Sequence, residues 1–587
     1  MSSTLEAVDL YRFFHAGEDE TLALRGVTLE VGAGELAMTH EEAARLLAGL
    51  GLELSTEQAD TLHDRTEGWP AALCLAAVAL GEQSDPDAAV AAFAGDDRVV
   101  VDYLEEELLA ALPRKSTEFL MRASLLEELS GPLCDAALER GDSAELLRNL
   151  ARTNALIVPM DRVDDRYRCH HLLAQMLQAE LRHRDPAAEE GIHRRASDWY
   201  AAHGEMDLAV EHAIAGGDEA AAGELIWAGV TALLGRGRLA TLDRWLDTLG
   251  DSAVVSVPAL ALTAGHRSMQ TGEGEQAMRF ARMAEAALGA DPAPSRRADL
   301  MLLYATLAPD GIRRMAADGE LATELQDPDS PWQFVISYYR GVAMHLSGHP
   351  DRGAPLLRET VRQGAALGPI MQVLALAQLA LIADEAGNRE EAERCIAQAT
   401  AQAERCGLAN LPSLAMVAAV AAQIHSGTGH VTEASDELER ACLLLEGQTG
   451  FPRWYVAQEH IALTRAAIRL DELERARGLL ERAAAVADDR QGPCINEWLA
   501  GADAALTAAE SGRSHAGLTK AELRTLQFLP THLTFREIGE RLYLSANTVK
   551  TQARAVYRKL DATSRAEAVQ RAREAGLLDD PDAAASG

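Results

Sequence analysis

Three helix starts are written into one stretch of this chain, Gly517 to Ala572. Thr519-x-x-Glu522, Thr534-x-x-Glu537 and Ser564-x-x-Glu567 each place a hydroxyl three residues before a glutamate. In such a capping box the hydroxyl accepts from an orphan backbone N–H of the first turn, and the carboxylate reaches back to the N–H of the cap residue. Leu542-Tyr543-Leu544-Ser545 is a tight connection, with Ser545 the N-cap of a further helix. The stretch therefore folds as four short helices.

The helix that follows Ser545 has two faces. Val549, Ala553, Val556 and Leu560 share the helical period and face a core. Asn547, Lys550, Thr551, Arg554 and Arg558 fall on the opposite side. Asn reads base edges, and Lys and Arg take phosphates or guanine. Two helices at an angle, the second polar and basic outward, make a helix-turn-helix, whose second helix enters the major groove. The alternative is a four-helix capping domain with a solvated basic face.

The pattern LT-x-x-E…EI-x-x-x-L-x-L-S-x-x-TVK…Y-x-KL…SRAEAV resembles the C-terminal DNA-binding domain of LuxR-type regulators. It is carried by Leu518, Thr519, Glu522, Glu537, Ile538, Leu542, Ser545, Thr548, Val549, Lys550, Lys559, Leu560, Arg565, Ala568 and Val569. The resemblance implies that the TVK helix is the recognition helix, that Thr548 and Lys550 contact DNA, and that the fourth helix offers a dimer surface. Gln552 departs from it, standing where many members carry His. The expected DNA-binding set is Asn547, Thr548, Lys550, Thr551, Arg554 and Arg558.

The remainder of the 587 residues is of a different charge. Net charge is −35, which argues against a protein that coats nucleic acid generally. Gly517 to Leu578 nevertheless holds eleven Lys/Arg against six Asp/Glu, so the basic module is local. Aromatics are only 4%, and Ala, Leu, Glu and Arg dominate, which favours helices. Seven scattered cysteines without a C-x-x-C pair point to a reduced, cytoplasmic compartment and buried structural thiols. Met1 to Leu10 lack the basic start and apolar run of a signal peptide, and no apolar stretch is long enough for a membrane span.

Residues 1–36 read as strands, with Val27, Leu29 and Val31 alternating before Gly32 and Gly34. VDLYRFFHAGEDETLALRGVTLEVGAGEL resembles the first two strands of an ABC-type ATPase. No G-x-x-x-x-G-K-[ST] phosphate loop occurs in the sequence, so the groups that hold β- and γ-phosphates are missing. From Thr39 the chain turns helical: Thr39-x-x-Glu42 and Ser55-x-x-Gln58 are further boxes, and Gly68-Trp69-Pro70 is a turn that Trp69 anchors. LAMTHEEAARLL…LSTEQADTLHDRTEGWPAALCLAA resembles the segment after the nucleotide-binding core of MalT-like regulators. Residues 99–190 combine helices with a hairpin leading into a helix, Ala155 to Met160 and Val163 to Leu172, and with the Y-R-x-HHL run at Tyr167 to Leu172 they resemble the winged-helix module of the same architecture. Cys169, His170 and His171 invite a metal reading, but adjacent histidines point apart and no second cluster has zinc spacing.

From 191 to 510 helix follows helix. Gly387 to Ala392, Gly429 to Ala434 and Asp471 to Ala476 recur at about 42 residues, each a turn before a helix rich in Ala and Leu. This is a tetratricopeptide-like solenoid with a concave surface for a peptide, another protein or an inducer, the alternative being that it only spaces the DNA module from the rest. Ser511 to Gly517 reads as a linker and Asp579 to Gly587 as an acidic tail.

The expected fold is mainly α. It comprises an ABC-ATPase-like remnant (1–36), a helical segment (37–98), a winged-helix-like module (99–190), a tetratricopeptide-like solenoid (191–510) and a four-helix helix-turn-helix domain (511–580). The expected function is a DNA-binding transcriptional regulator and not an enzyme. It would act as a homodimer on double-stranded DNA, with an inducer or protein at the solenoid, no cofactor or metal, and no membrane. The alternatives are a protein-binding solenoid scaffold and an inactive truncated fusion of an ATPase and a regulator.

Overall fold

A computed structural model of the chain describes residues 5–16, 19–31, 37–81, 85–95, 97–110, 112–153, 157–160, 165–514, 518–531, 533–542, 544–574 and 577–578. They fall into two compact units, Met1–Ile226 and Trp227–Gly587.

The first unit opens with an antiparallel hairpin of β1 (Leu5–Ala16) and β2 (Asp19–Val31). The glycine turn and junction expected at 32–36 lie outside the described residues. Helices α1 (His40–Gly49) and α2 (Thr56–Thr66) start on the boxes read from the sequence. Thr39 N–H donates to the Glu42 carboxylate at 3.0 Å, and Ser55 N–H to the Gln58 side chain at 2.7 Å. Pro70 begins α3 (Pro70–Gly81).

A small antiparallel sheet follows, in the order β3 (Leu129–Ser130), β5 (Arg166–Cys169), β4 (Ile157–Pro159). Helices Arg114–Ala123, Gly131–Leu138, Ser143–Thr153 and His171–Arg184 surround it. This is the expected hairpin; its turn at 161–164 lies outside the described residues. The two motifs singled out in this unit grip each other. Arg168 forks onto Glu67 with bonds of 2.8 and 2.6 Å, and Glu67 also accepts from the His171 N–H at 3.1 Å. Burial would raise the Glu67 carboxyl, but Arg168, His170 and the His171 N–H outweigh it and hold it below its usual range. Trp69 packs edge-on to His170 at 5.4 Å, as a packing anchor does.

Cys169, His170 and His171 diverge. The Cys169 thiol is pushed up to about 12 by burial, His170 lies 3.2 Å from the Thr66 carbonyl, and His171 turns to Gln175 at 2.9 Å. All seven cysteines are free thiols, and Cys74 is exposed rather than buried, because it stands on the outer face of α3.

In the second unit the solenoid runs as paired helices from Leu239–Ser256 to Pro493–Ser514. The three recurring turns share one geometry. Gly387, Gly429 and Asp471 are left-handed, with φ of 73°, 89° and 67°. The following N–H reaches back five residues, as in Asn388 to Ala383 and Glu472 to Ala467. These are Schellman turns, in which a left-handed residue lets the chain reverse while orphan carbonyls stay bonded. Five residues on, Ala392, Ala434 and Ala476 are fully buried. The turns at Gly272 and Gly348, irregular in spacing, obey the same rule: φ is 88° and 84°, and Ala277 and Gly353 are buried.

Two expectations need correction. The linker does not begin at Ser511, because helix Pro493–Ser514 continues through it; residues 515–517 lie outside the described residues. The concave surface is not open along this stretch. Helices Pro369–Glu385, Ala415–Thr428 and Arg453–Arg469 are buried on nearly all sides, with Gln378 and Gln458 exchanging hydrogen bonds of 3.1 Å deep inside. Alanines such as Ala375, Ala380, Ala419 and Ala466, all fully buried, let backbones approach until the interior fills. Distant turns then touch: Thr449 N–H donates to the Gly272 carbonyl at 2.7 Å, and Gly274 N–H to the Thr449 carbonyl at 2.8 Å. A Cβ on Gly274 would meet the Gly450 carbonyl at 2.2 Å, so only glycine fits this seam. No single described helix is long and apolar enough to cross a membrane.

Candidate nucleic-acid interface

The basic module folds as four helices, α4 (Lys520–Phe528), α5 (Phe535–Leu542), α6 (Ala546–Lys559) and α7 (Arg565–Glu574). The boxes at Thr519 and Thr534 form completely: each cap N–H donates to its glutamate at 2.7 Å, and each glutamate N–H returns to the hydroxyl at 3.3 Å. The third forms by half. Glu567 N–H donates to Ser564, but the Glu567 carboxylate takes both the N–H and the hydroxyl of Thr563, one residue further back, at 2.7 Å. Ser545 caps α6 through the Thr548 N–H at 3.1 Å.

Helix α6 is central. Val549 joins Ile538 and Leu542 of α5, while Ala553, Val556 and Leu560 join Leu526 of α4 and Ala568, Val569 and Ala572 of α7. The turn from α5 into α6 is closed by Leu544 N–H donating to the Gly539 carbonyl at 2.8 Å. A Cβ at Gly539 would lie 2.6 Å from the Leu544 carbonyl, so this turn needs a residue without one.

All six expected DNA contacts, Asn547, Thr548, Lys550, Thr551, Arg554 and Arg558, are exposed on α6, away from that core. Thr548 and Thr551 are engaged locally: the Thr548 hydroxyl lies 2.8 Å from Ser545, and Thr551 donates to the Asn547 carbonyl at 2.9 Å. Each keeps lone pairs free. Lys550, Arg554 and Arg558 stand one turn apart and make no hydrogen bond or ion pair with the described residues, and α6 contains no acid. Asn547 and Thr548 sit at the α6 N-terminus, where the helix dipole favours a phosphate.

Other cations of the module are committed to the fold. Lys559 bonds Glu522 at 2.6 Å. Burial opposes the ionised form of Glu522, but Lys559 and Thr519 outweigh it and hold the carboxyl below its usual range. Arg565 is visible in the sequence only as part of the resemblance. Its guanidinium donates to four carbonyls, Leu529 at 2.9, Leu533 at 2.7, Thr531 at 2.8 and Phe528 at 3.2 Å, and so fastens α7 to the end of α4 and the loop beyond. Gln552, the departure from the family pattern, accepts from the buried Thr525 hydroxyl at 2.6 Å and ties α6 to α4.

Residues 516–572 match the family of bacterial regulatory proteins of the luxR family, and residues 105–189 match the MalT winged helix domain. The chain is 29% identical over 310 residues to the serine/threonine-protein kinase PknK of Mycobacterium tuberculosis, covering 51% of this chain and 28% of that protein. It is 25% identical over 352 residues to the HTH-type transcriptional regulator MalT of Vibrio parahaemolyticus, covering 58% of this chain and 39% of that one. The chain thus spans well under half the length of these curated relatives. Among solved structures, a signal-transduction ATPase with a tetratricopeptide repeat sensor from Pyrococcus horikoshii aligns at 16% identity and a TM-score of 0.41, over 82% of this chain and 72% of that one.

Proposed function

We propose that this chain is a sequence-specific, DNA-binding transcriptional regulator of the cytoplasm and not an enzyme, with α6 seated in the major groove. The observation that carries the reading is the sorting of cations: Lys550, Arg554 and Arg558 stand free on one face of an acid-free helix, while Lys559 and Arg565 are spent on the fold. In use, Asn547 and Arg554 read base edges, Lys550 and Arg558 take phosphates, and Thr548 and Thr551 fix register. The module functions as a homodimer on two half-sites, as single helix-turn-helix modules bind weakly. The domain limits are those drawn from the sequence, with the solenoid extended to Ser514.

The regulatory input belongs to the solenoid, and a groove of about 390 Å³ offers it a place. Its lining includes Phe451, Pro452 and Leu307, together with three arginines, Arg279, Arg282 and Arg453, against one carboxylate, Glu275. Arg279 and Arg282 bond to no described residue, in a chain whose net charge is −35. That combination suits an organic anion with an apolar body as inducer.

The test is fluorescence anisotropy of the full chain on fragments from around its own gene, titrated with salt. Binding should weaken steeply with salt and collapse in Lys550→Ala/Arg554→Ala. Equal binding by that double variant would overturn the assignment of α6.

A further inference from the structure

A second group of chemically capable side chains stands far from the DNA module in sequence. His40 opens α1, while His63 and Asp64 lie in the last turn of α2, and one ligand atom from each falls within 4.8 Å of the others. Nε2 of His40 lies 3.2 Å from Oδ1 of Asp64, and Nδ1 of His63 lies 3.3 Å from the same oxygen. A tetrahedral ion with bonds of about 2.0–2.1 Å has ligand-to-ligand edges of about 3.3–3.4 Å. Both separations fall close to that edge.

The far side of the His63 ring fixes its tautomer. Nε2 lies 2.8 Å from the Met38 carbonyl, which can only accept, so Nε2 carries the hydrogen. Nδ1 of the neutral ring then presents a lone pair to the Asp64 carboxylate. Two acceptors at this distance repel unless a positive charge lies between them. A backbone carbonyl on the distal nitrogen is also the outer contact that metal-bound imidazoles take. That carbonyl is held in place: Met38 N–H donates to the Gly68 carbonyl at 2.8 Å, and a Cβ on Gly68 would sit 2.4 Å from the Met38 oxygen. His40 and Asp64 are exposed, which leaves a coordination position open to water.

We propose that His40, His63 and Asp64 bind a divalent transition-metal ion, with zinc the best match. Two imidazoles and one carboxylate suit zinc or cobalt and disfavour magnesium and calcium, which take oxygen ligands. The ion clips the start of α1 to the end of α2 beside Glu67, the residue that grips Arg168. The sequence hides this set, because His40 and Asp64 stand 24 residues apart on separate helices, outside any ligand-spacing motif.

The experiment titrates tag-free, reduced full-length chain with Co²⁺ and follows the visible absorption. One equivalent should produce the d–d bands of nitrogen and oxygen ligation, without a thiolate-to-cobalt band, and Zn²⁺ should displace it. His40→Ala and Asp64→Asn, at exposed positions, should each weaken Co²⁺ binding about 10-fold or more with unchanged circular dichroism. Zn²⁺ should raise the melting temperature of the native chain and not that of His40→Ala. No visible band, a thiolate band, or a band undiminished in both variants would overturn the proposal.

Discussion

Helices in the DNA module and in the solenoid are held by different means. The module's helices run 8 to 14 residues, and all four begin on a hydroxyl that accepts from the first turn. In the solenoid, from Pro258–Gln270 to Leu473–Val486, the α-helix Arg389–Arg405 starts on a side-chain cap from Asn388, while its described neighbours start without one. They are fixed instead by left-handed turns and by alanine packed against alanine. Short helices bury little and cannot outweigh the cost of nucleation by packing alone, so side chains must satisfy their ends. Long stacked helices draw their stability from neighbours, and what matters there is a turn of fixed geometry.

Changes that exploit this contrast should differ in size and place. The largest effect is expected for Lys550→Ala/Arg554→Ala, which should lower DNA affinity about 100-fold or more, since each contact is worth about 1–3 kcal/mol. Arg279→Ala/Arg282→Ala, two free arginines of the solenoid, should leave DNA affinity within about twofold in the same anisotropy assay. Equal losses would erase the functional side of the comparison.

Next comes the Arg565 clamp. Arg565→Ala should cost the module about 2–3 kcal/mol, read as a fall in its thermal transition, because charged hydrogen bonds to four carbonyls are lost. Arg565→Lys should restore less than half, as a single ammonium cannot match a planar fork. The solenoid's own transition should not move.

A smaller change tests the turns. Gly429→Ala places a Cβ on a left-handed residue and should destabilise the solenoid by about 1 kcal/mol, whereas Asp471→Gly should leave it unchanged or slightly more stable. Urea unfolding of the two variants measures both, and a loss in each would refute the shared turn.

The smallest effect concerns acid. Glu522 has its folded value held below that of a free carboxyl, so its contribution is present above about pH 4.5 and is lost as pH falls through the folded value. Glu522→Gln should therefore lower the module's stability at neutral pH and flatten the acid limb of its profile, so that the two chains converge as the pH falls from about 6 to 3, followed by circular dichroism.

Much of the interface was legible because it depends on local rules. Caps at Thr519, Thr534 and Ser545, and the apolar spacing of Val549, Ala553 and Val556, follow from helical periodicity, and exposure of Lys550 and Arg554 follows from that spacing. The role of Arg565 was not legible, since its carbonyl partners lie 32 to 37 residues away and carry no side-chain signal. Thr563 instead of Ser564 as the partner of Glu567 was equally hidden, because the two residues differ only in how the turn aims them.

In the solenoid the sequence by itself determined the turns. A left-handed residue followed five positions later by a small one is a rule of backbone geometry, and Gly387, Gly429 and Asp471 state it without help. It also determined that the module is basic while the body is acidic. Only the tertiary structure decided that the solenoid fills its own interior and that Gly272 meets Thr449. The same holds for Lys559, which Glu522 removes from the free cations of α6, and for His40, which stands beside His63. Periodicity fixes which face of a helix is buried; how closely two faces approach depends on side-chain volumes contributed from far along the chain, and that sum exists only once the chain is folded.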